Sequence, residues 1–233
     1  RDFGLQMRYK FNLSKKFVVK KTFAISQGEG RNVSKGNLGG HQYTAKIDLL
    51  PFGNFKSDGD YVGNDIEREK KPKLLVGVAY DYNNDSVKTR GNTGNYMETT
   101  TGFFKTDIKS LFVNSHFKYM GLSFMGEYAS RTSDDAISKN SDGSLTGDIV
   151  NDGSAINFQI GYVTPSNVAI TTRFTNIKFK DIIYPKNDTE QLTIGLSKYF
   201  VKHKLKIQSD LTSEKSMNNK NKIFYRLQFE IHF

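Results

Sequence analysis

The feature that most constrains this chain is the period-two alternation of residues 222–233. Ile223, Tyr225, Leu227, Phe229, Ile231 and Phe233 fall on one flank, and Phe224, Arg226, Gln228, Glu230 and His232 fall on the other. That period belongs to a strand, whose successive side chains point to opposite faces. A strand of about ten residues is long enough, when tilted, to cross the hydrocarbon core of a bilayer. Strands of ordinary globular domains average about five or six. Slipping the register by one residue would move Arg226 and Glu230 to the apolar flank. Against lipid that costs about 2–4 kcal/mol for an arginine near the midplane and less for a glutamate. The register is therefore strongly written.

The pattern recurs upstream in ten further segments, at 2–11, 17–27, 41–50, 73–82, 108–118, 122–131, 155–163, 168–177, 189–200 and 203–212. In 2–11, Phe3, Leu5, Met7, Tyr9 and Phe11 oppose Asp2, Gln6, Arg8 and Lys10. In 41–50, Tyr43, Ala45, Ile47 and Leu49 oppose Gln42, Thr44, Lys46 and Asp48. Lys21 interrupts the apolar flank of the second segment, and the pattern leaves the register of 108–118 open. Connections at 12–16, 119–121, 164–167 and 201–202 are short, whereas those at 28–40, 83–105, 132–153, 178–188 and 213–221 are long. Short turns at one end and long loops at the other are the habit of membrane barrels, and a sandwich has no reason to sort its connections by side. The 51–72 connection is the exception, long on the short side. These features predict an all-β chain, a transmembrane antiparallel β-barrel with one domain over 1–233. Bacterial single-chain barrels have even strand counts. Eleven strands ending on one that descends to the periplasm then imply at least one strand before Arg1.

Composition fits that expectation and narrows the chemistry. Aromatics make up 13% of the residues, as 18 Phe and 12 Tyr without Trp, and 25% are charged, so apolar and polar flanks coexist in each strand. No run of 18 apolar residues could form a transmembrane helix. The absence of cysteine removes disulfides, Cys-zinc sites and thiol nucleophiles. The +10 charge is scattered singly rather than gathered in a basic helix or patch, which argues against nucleic acid as a partner. Gly28 and Gly30 are not followed by a phosphate-cradling helix. The 140–143 stretch resembles a calcium loop only faintly, because Ser138 and Ile149 stand where carboxylates belong. His41 and Ser26 fall on opposite flanks, and no G-x-S-x-G or metal-spaced histidine pair exists. Neither catalysis nor a cofactor or metal is expected.

Several stretches, taken in order, resemble one family. They are Pro51-Phe-Gly, Gly59-Asp-Tyr61, Lys71-Pro-Lys-Leu74, Gly121-Leu-Ser-Phe-Met-Gly-Glu-Tyr128, Thr164-Pro-Ser-Asn167, Gly195-Leu-Ser-Lys-Tyr-Phe200 with His203-Lys-Leu-Lys206, and Tyr225-Arg-Leu-Gln-Phe-Glu-Ile-His-Phe233. Together they are similar to the phosphate-selective porin O/P family in its Bacteroidetes-type form, over the C-terminal part of that barrel. The terminal Tyr225, Leu227, Phe229, Ile231 and Phe233 resemble the assembly signal of bacterial outer-membrane barrels. The resemblance implies a barrel of about sixteen strands in the bacterial outer membrane, with outer-membrane lipid around it. It further implies a homotrimer and conduction of small anionic solutes along luminal Lys and Arg. The family's constriction loop and basic ladder would lie partly before Arg1, so phosphate selectivity does not carry over.

On the polar flanks the pattern places nine basic residues: Arg8, Lys10, Lys20, Lys46, Arg131, Arg173, Lys204, Lys206 and Arg226. Six acidic residues oppose them: Asp2, Asp48, Asp81, Glu127, Asp210 and Glu230. Basic rings favour anions by supplying fixed positive potential. The opposing expectation is that these charges pair across neighbouring strands and merely fill polar space. Lys204, Lys206 and Arg226 form the strongest local candidate, with Glu230 and Asp210 close enough to neutralise them. A non-conducting barrel that serves as a structural partner of other outer-membrane proteins is the alternative role, since the loops at 83–105 and 132–153 are large enough to dock one.

Overall fold

The computed structural model describes residues 2–31, 33, 36–180, 188–216 and 219–232. Phe233 and parts of the expected loops at 28–40 and 178–188 lie outside them. The chain is all-β. Its strands are β1 (Gly4–Asn12), β2 (Val18–Ser26), β3 (Gln42–Leu50), β4 (Lys73–Ser86), β5 (Glu98–Thr99), β6 (Gly102–Phe103), β7 (Thr106–Tyr119) and β8 (Leu122–Ser133). They continue with β9 (Ile137–Lys139), β10 (Leu145–Ile149), β11 (Gly153–Val163), β12 (Val168–Phe179), β13 (Thr189–Val201), β14 (Leu205–Ser216) and β15 (Asn219–Ile231). Eleven of these form one antiparallel sheet in the order β1-β2-β3-β4-β7-β8-β11-β12-β13-β14-β15. The hairpins β5–β6 and β9–β10 stand apart within the long connections. Among the described residues the sheet is open, with β1 and β15 as its edges.

The alternation decides which flank packs. Leu192, Ile194 and Leu196 of β13 and Tyr225, Leu227 and Phe229 of β15 are exposed, Ile194 at 56% and Tyr225 at 66%. The opposite flank buries polar groups: Lys118 and Ser123 are each 2% exposed. Soluble domains bury the first kind of residue and expose the second. Among the described residues no second sheet stacks on the aromatic flank. In β7, whose register the pattern left open, Leu111, Val113, Ser115, Phe117 and Tyr119 share the apolar flank, while Phe112 and His116 turn to the polar one. Lys21 does sit among the apolar residues, with its ammonium 5.3 Å from the centre of the Phe11 ring on β1.

One expected long connection is corrected. The 213–221 stretch is mostly strand, because β14 runs on to Ser216 and β15 starts at Asn219, with Glu214 opposite Lys222. Cross-strand pairing of these polar residues overrides their weak strand propensity.

The 51–72 connection explains its own length. It does not hang off the sheet but runs across the polar face as a strap, from β2 to β13. A 3-10 segment, Lys56–Tyr61, turns the chain with Ser57 and Asp58 in the left-handed region (φ 47° and 50°). Two apolar anchors hold the strap. Phe55 packs with Val18, Leu50 and Leu75, and Ile66 packs against Val163, Ala169 and Tyr199. At the other end of the sheet the long connections pack together around Met97, Ile108 and Val150.

Candidate functional site

The polar face carries the candidate chemistry, and the strap is built into it. Asp60 meets Lys20 of β2 at 2.5 Å. The His116 ring of β7 faces the carbonyl oxygens of Asp60 (3.4 Å) and Gly63 (3.2 Å). Lys118 donates to the Asn64 carbonyl at 2.9 Å. The Asn64 side chain donates to the Tyr199 hydroxyl (3.1 Å) and accepts from Thr171 (3.2 Å) and Ser123 (3.5 Å). Asp65 accepts from the Gly121 amide at 2.8 Å, Arg68 donates to the Val163 carbonyl, and Lys202 meets Glu67 at 2.5 Å. Gly161 makes the central contact possible, because a Cβ there would collide with the Asn64 amide oxygen.

Four of the nine basic residues are ion-paired. Besides Lys20–Asp60, Lys46 lies 3.0 Å from Asp48, Lys206 2.6 Å from Glu230, and Arg226 2.8 Å from Asp210. The strongest local candidate is thereby corrected: Lys206 and Arg226 are neutralised by the very carboxylates expected nearby. Lys204 is not on a strand but exposed in the turn before β14. Of the remaining acids, Asp81 accepts from Gln42 and Thr44, Asp2 from Gly28 and Ser26, and Glu127 from Asn157.

Arg8, Lys10, Arg131 and Arg173 form no ion pair among the described residues, and all four lie on the polar face. Lys10 stands directly opposite Lys20. The Arg131 Nε is buried without a hydrogen-bond partner among the described residues, beside a pocket of about 160 Å³ walled by Phe112, Ala129, Ala155 and Ile177. Tyr225, Leu227, Phe229 and Ile231 line the exposed flank of the edge strand β15.

The alternation could not find Lys118 or the strap. Lys118 sits on the strand whose register was open, and the strap has no periodicity. Its only signal was its length on the wrong side. In the turn after β13, His203 is held below the usual histidine range by partial burial and then by Lys206, and its Nε2 has no hydrogen-bond partner among the described residues. At 140–144 a tight turn uses up the Asp142 carboxylate, which accepts from the Ser144 amide (2.9 Å) and hydroxyl (2.6 Å).

No family model, no curated protein and no solved structure matches this chain.

Proposed function

We propose that this sheet is the greater part of a transmembrane β-barrel of the bacterial outer membrane, its edges closed by further strands, and that it passes small polar solutes through its lumen. The observation that carries the reading is the inverted flanking of the sheet, with aromatic and aliphatic residues exposed on one flank of the long strands and polar groups such as Asp48, Lys118, Ser123, Thr193 and Thr212 buried on the other. Hydrocarbon on one side and water on the other is the environment in which that distribution is stable. The order of family-like stretches along the sequence supports a porin. So does the sorting of connection lengths, now that the 51–72 segment is a strap rather than a loop at the wrong end.

An anion preference rests on Arg8, Lys10, Arg131 and Arg173, the basic residues left over after pairing. It is weaker than nine against six suggested, because the strap brings Asp60 to Lys20. Reconstitution of the folded protein into planar bilayers tests the reading. Stepwise conductance with a reversal potential shifted modestly towards anions is the expected result, and folded protein that inserts without conducting defeats it.

One observation favours a second role. The strap spans the polar face over most of its width, as it would in a barrel that serves as a structural partner in a larger outer-membrane assembly. Conductance of the isolated protein separates the two.

A further inference from the structure

Most polar side chains on the inner face are satisfied, so those that are not stand out. Gln159, Arg173, Ser197 and Gln208 come from four successive strands, β11 to β14. None of them has a hydrogen-bond or ion-pair partner among the described residues, and all four line one cavity of about 260 Å³. Gln159 is paired in register with Arg173, and Ser197 with Gln208. Between these two pairs lies Gly195, opposite Thr171 on one side and Asp210 on the other. Its missing side chain leaves the hollow: a Cβ there would come no nearer than 3.6 Å to any atom, ordinary contact rather than collision. The strap roofs the cavity with Gly63 and Asn64. Ser197 is buried and the other three are partly exposed, so the four together keep donors and acceptors free to turn to a solute held in that space.

We infer that this cavity is a solute-binding subsite for a small hydroxylated monocarboxylate, such as a sugar acid. The inference rests on the pore reading and names the solute class of its inner face. Charge sets the first half of that class. Lys206 and Arg226 are held by Glu230 and Asp210, so Arg173 is the one strong cation of the cavity free to take a carboxylate, and its planar fork suits one. The second half comes from the rest of the lining, since two side-chain amides and a serine hydroxyl, each able to donate and accept, match the hydroxyls of a polyol. The size fits one small ring, being just under the roughly 300 Å³ at which pockets for larger ligands begin. A simple anion would use Arg173 and leave the amides unpaired; a neutral sugar would do the reverse.

Isothermal titration calorimetry of the detergent-folded protein tests this with glucuronate, glucose, acetate and inorganic phosphate. Glucuronate is expected to bind about tenfold or more tightly than each of the other three. Arg173→Gln should reduce its affinity to that of glucose. Gly195→Val, which fills the hollow without touching Arg173, should abolish binding while the far-UV circular dichroism and heat-modifiable migration stay those of the parent. Equal affinity for phosphate or for glucose overturns the inference, as does folded protein that binds none of the four or an Arg173→Gln variant that binds glucuronate unchanged. Calorimetry reads occupancy and bilayer recording reads conduction, so a chain that binds but does not conduct loses the pore reading alone.

Discussion

Gly161 and His203 show how much depends on single positions here. At Gly161 the absence of a side chain lets Asn64 rest on β11 and reach Thr171 of β12 and Tyr199 of β13 on one side and Ser123 of β8 on the other. Gly161→Val should therefore lift the middle of the strap while leaving the sheet paired. Limited proteolysis is expected to cut the variant between residues 56 and 70 at least several-fold faster than the parent, and equal rates would show the strap held without that contact. His203 makes a statement about pH. Burial lowers its folded pKa below the ordinary histidine value, so its neutral form is the one the fold accommodates. Its contribution to stability is complete above the unfolded pKa of about 6.5 and is lost as pH falls through the folded value, because the unfolded chain binds the extra proton first. Melting temperatures measured from pH 8 to 5 should fall more steeply for the parent than for His203→Gln.

The elements separate what sequence could tell from what it could not. Strands such as β3, β13 and β15 were legible because every second residue faces the same medium, so composition and geometry share one period. The same logic gives a paired test on β13. Ile194→Arg should cost about 2–4 kcal/mol of unfolding free energy in lipid vesicles, whereas Thr193→Arg, one residue away on the inner flank, should cost far less. Similar losses at both positions would contradict lipid on the outer flank. Strand β7 was illegible in register because Phe112, 42% exposed, faces inward and Ser115 faces outward, each against the trend. The ends of β14 and β15 were missed because charged residues beyond an apolar span read as loop until a partner strand is seen. The strap escaped for a different reason. It is held by backbone carbonyls, two isolated apolar anchors and ion pairs to residues far away in sequence, none of which leaves a period. Lys118 was missed on the polar face and Lys204 was misplaced there, and the pairing of Lys20 could not be read because its partner is 40 residues distant in an aperiodic segment. Replacing residues 54–70 with a short Gly/Ser turn should raise single-channel conductance several-fold if the strap narrows the passage, and an unchanged conductance would show that solutes pass elsewhere.

For the molecule as a whole, the sheet is an inside-out solid: its polar side is packed and its apolar side is bare. Stability in such an arrangement comes from the medium as much as from internal contacts, so dilution of the urea-unfolded chain into buffer without lipid or detergent should aggregate it rather than yield a soluble folded form. The strap adds an ordering in time. Its hydrogen bond from Asn64 to Tyr199 spans 135 residues, and so does its ion pair from Glu67 to Lys202. Neither can close until β13 and the turn after it are in place, and such distant closures come late when a chain assembles. A chain stalled before its C-terminal hairpins would thus leave the strap undocked and open to proteases of the surrounding compartment. The same segment that covers the polar face of the complete sheet would, over an incomplete one, mark the protein for removal.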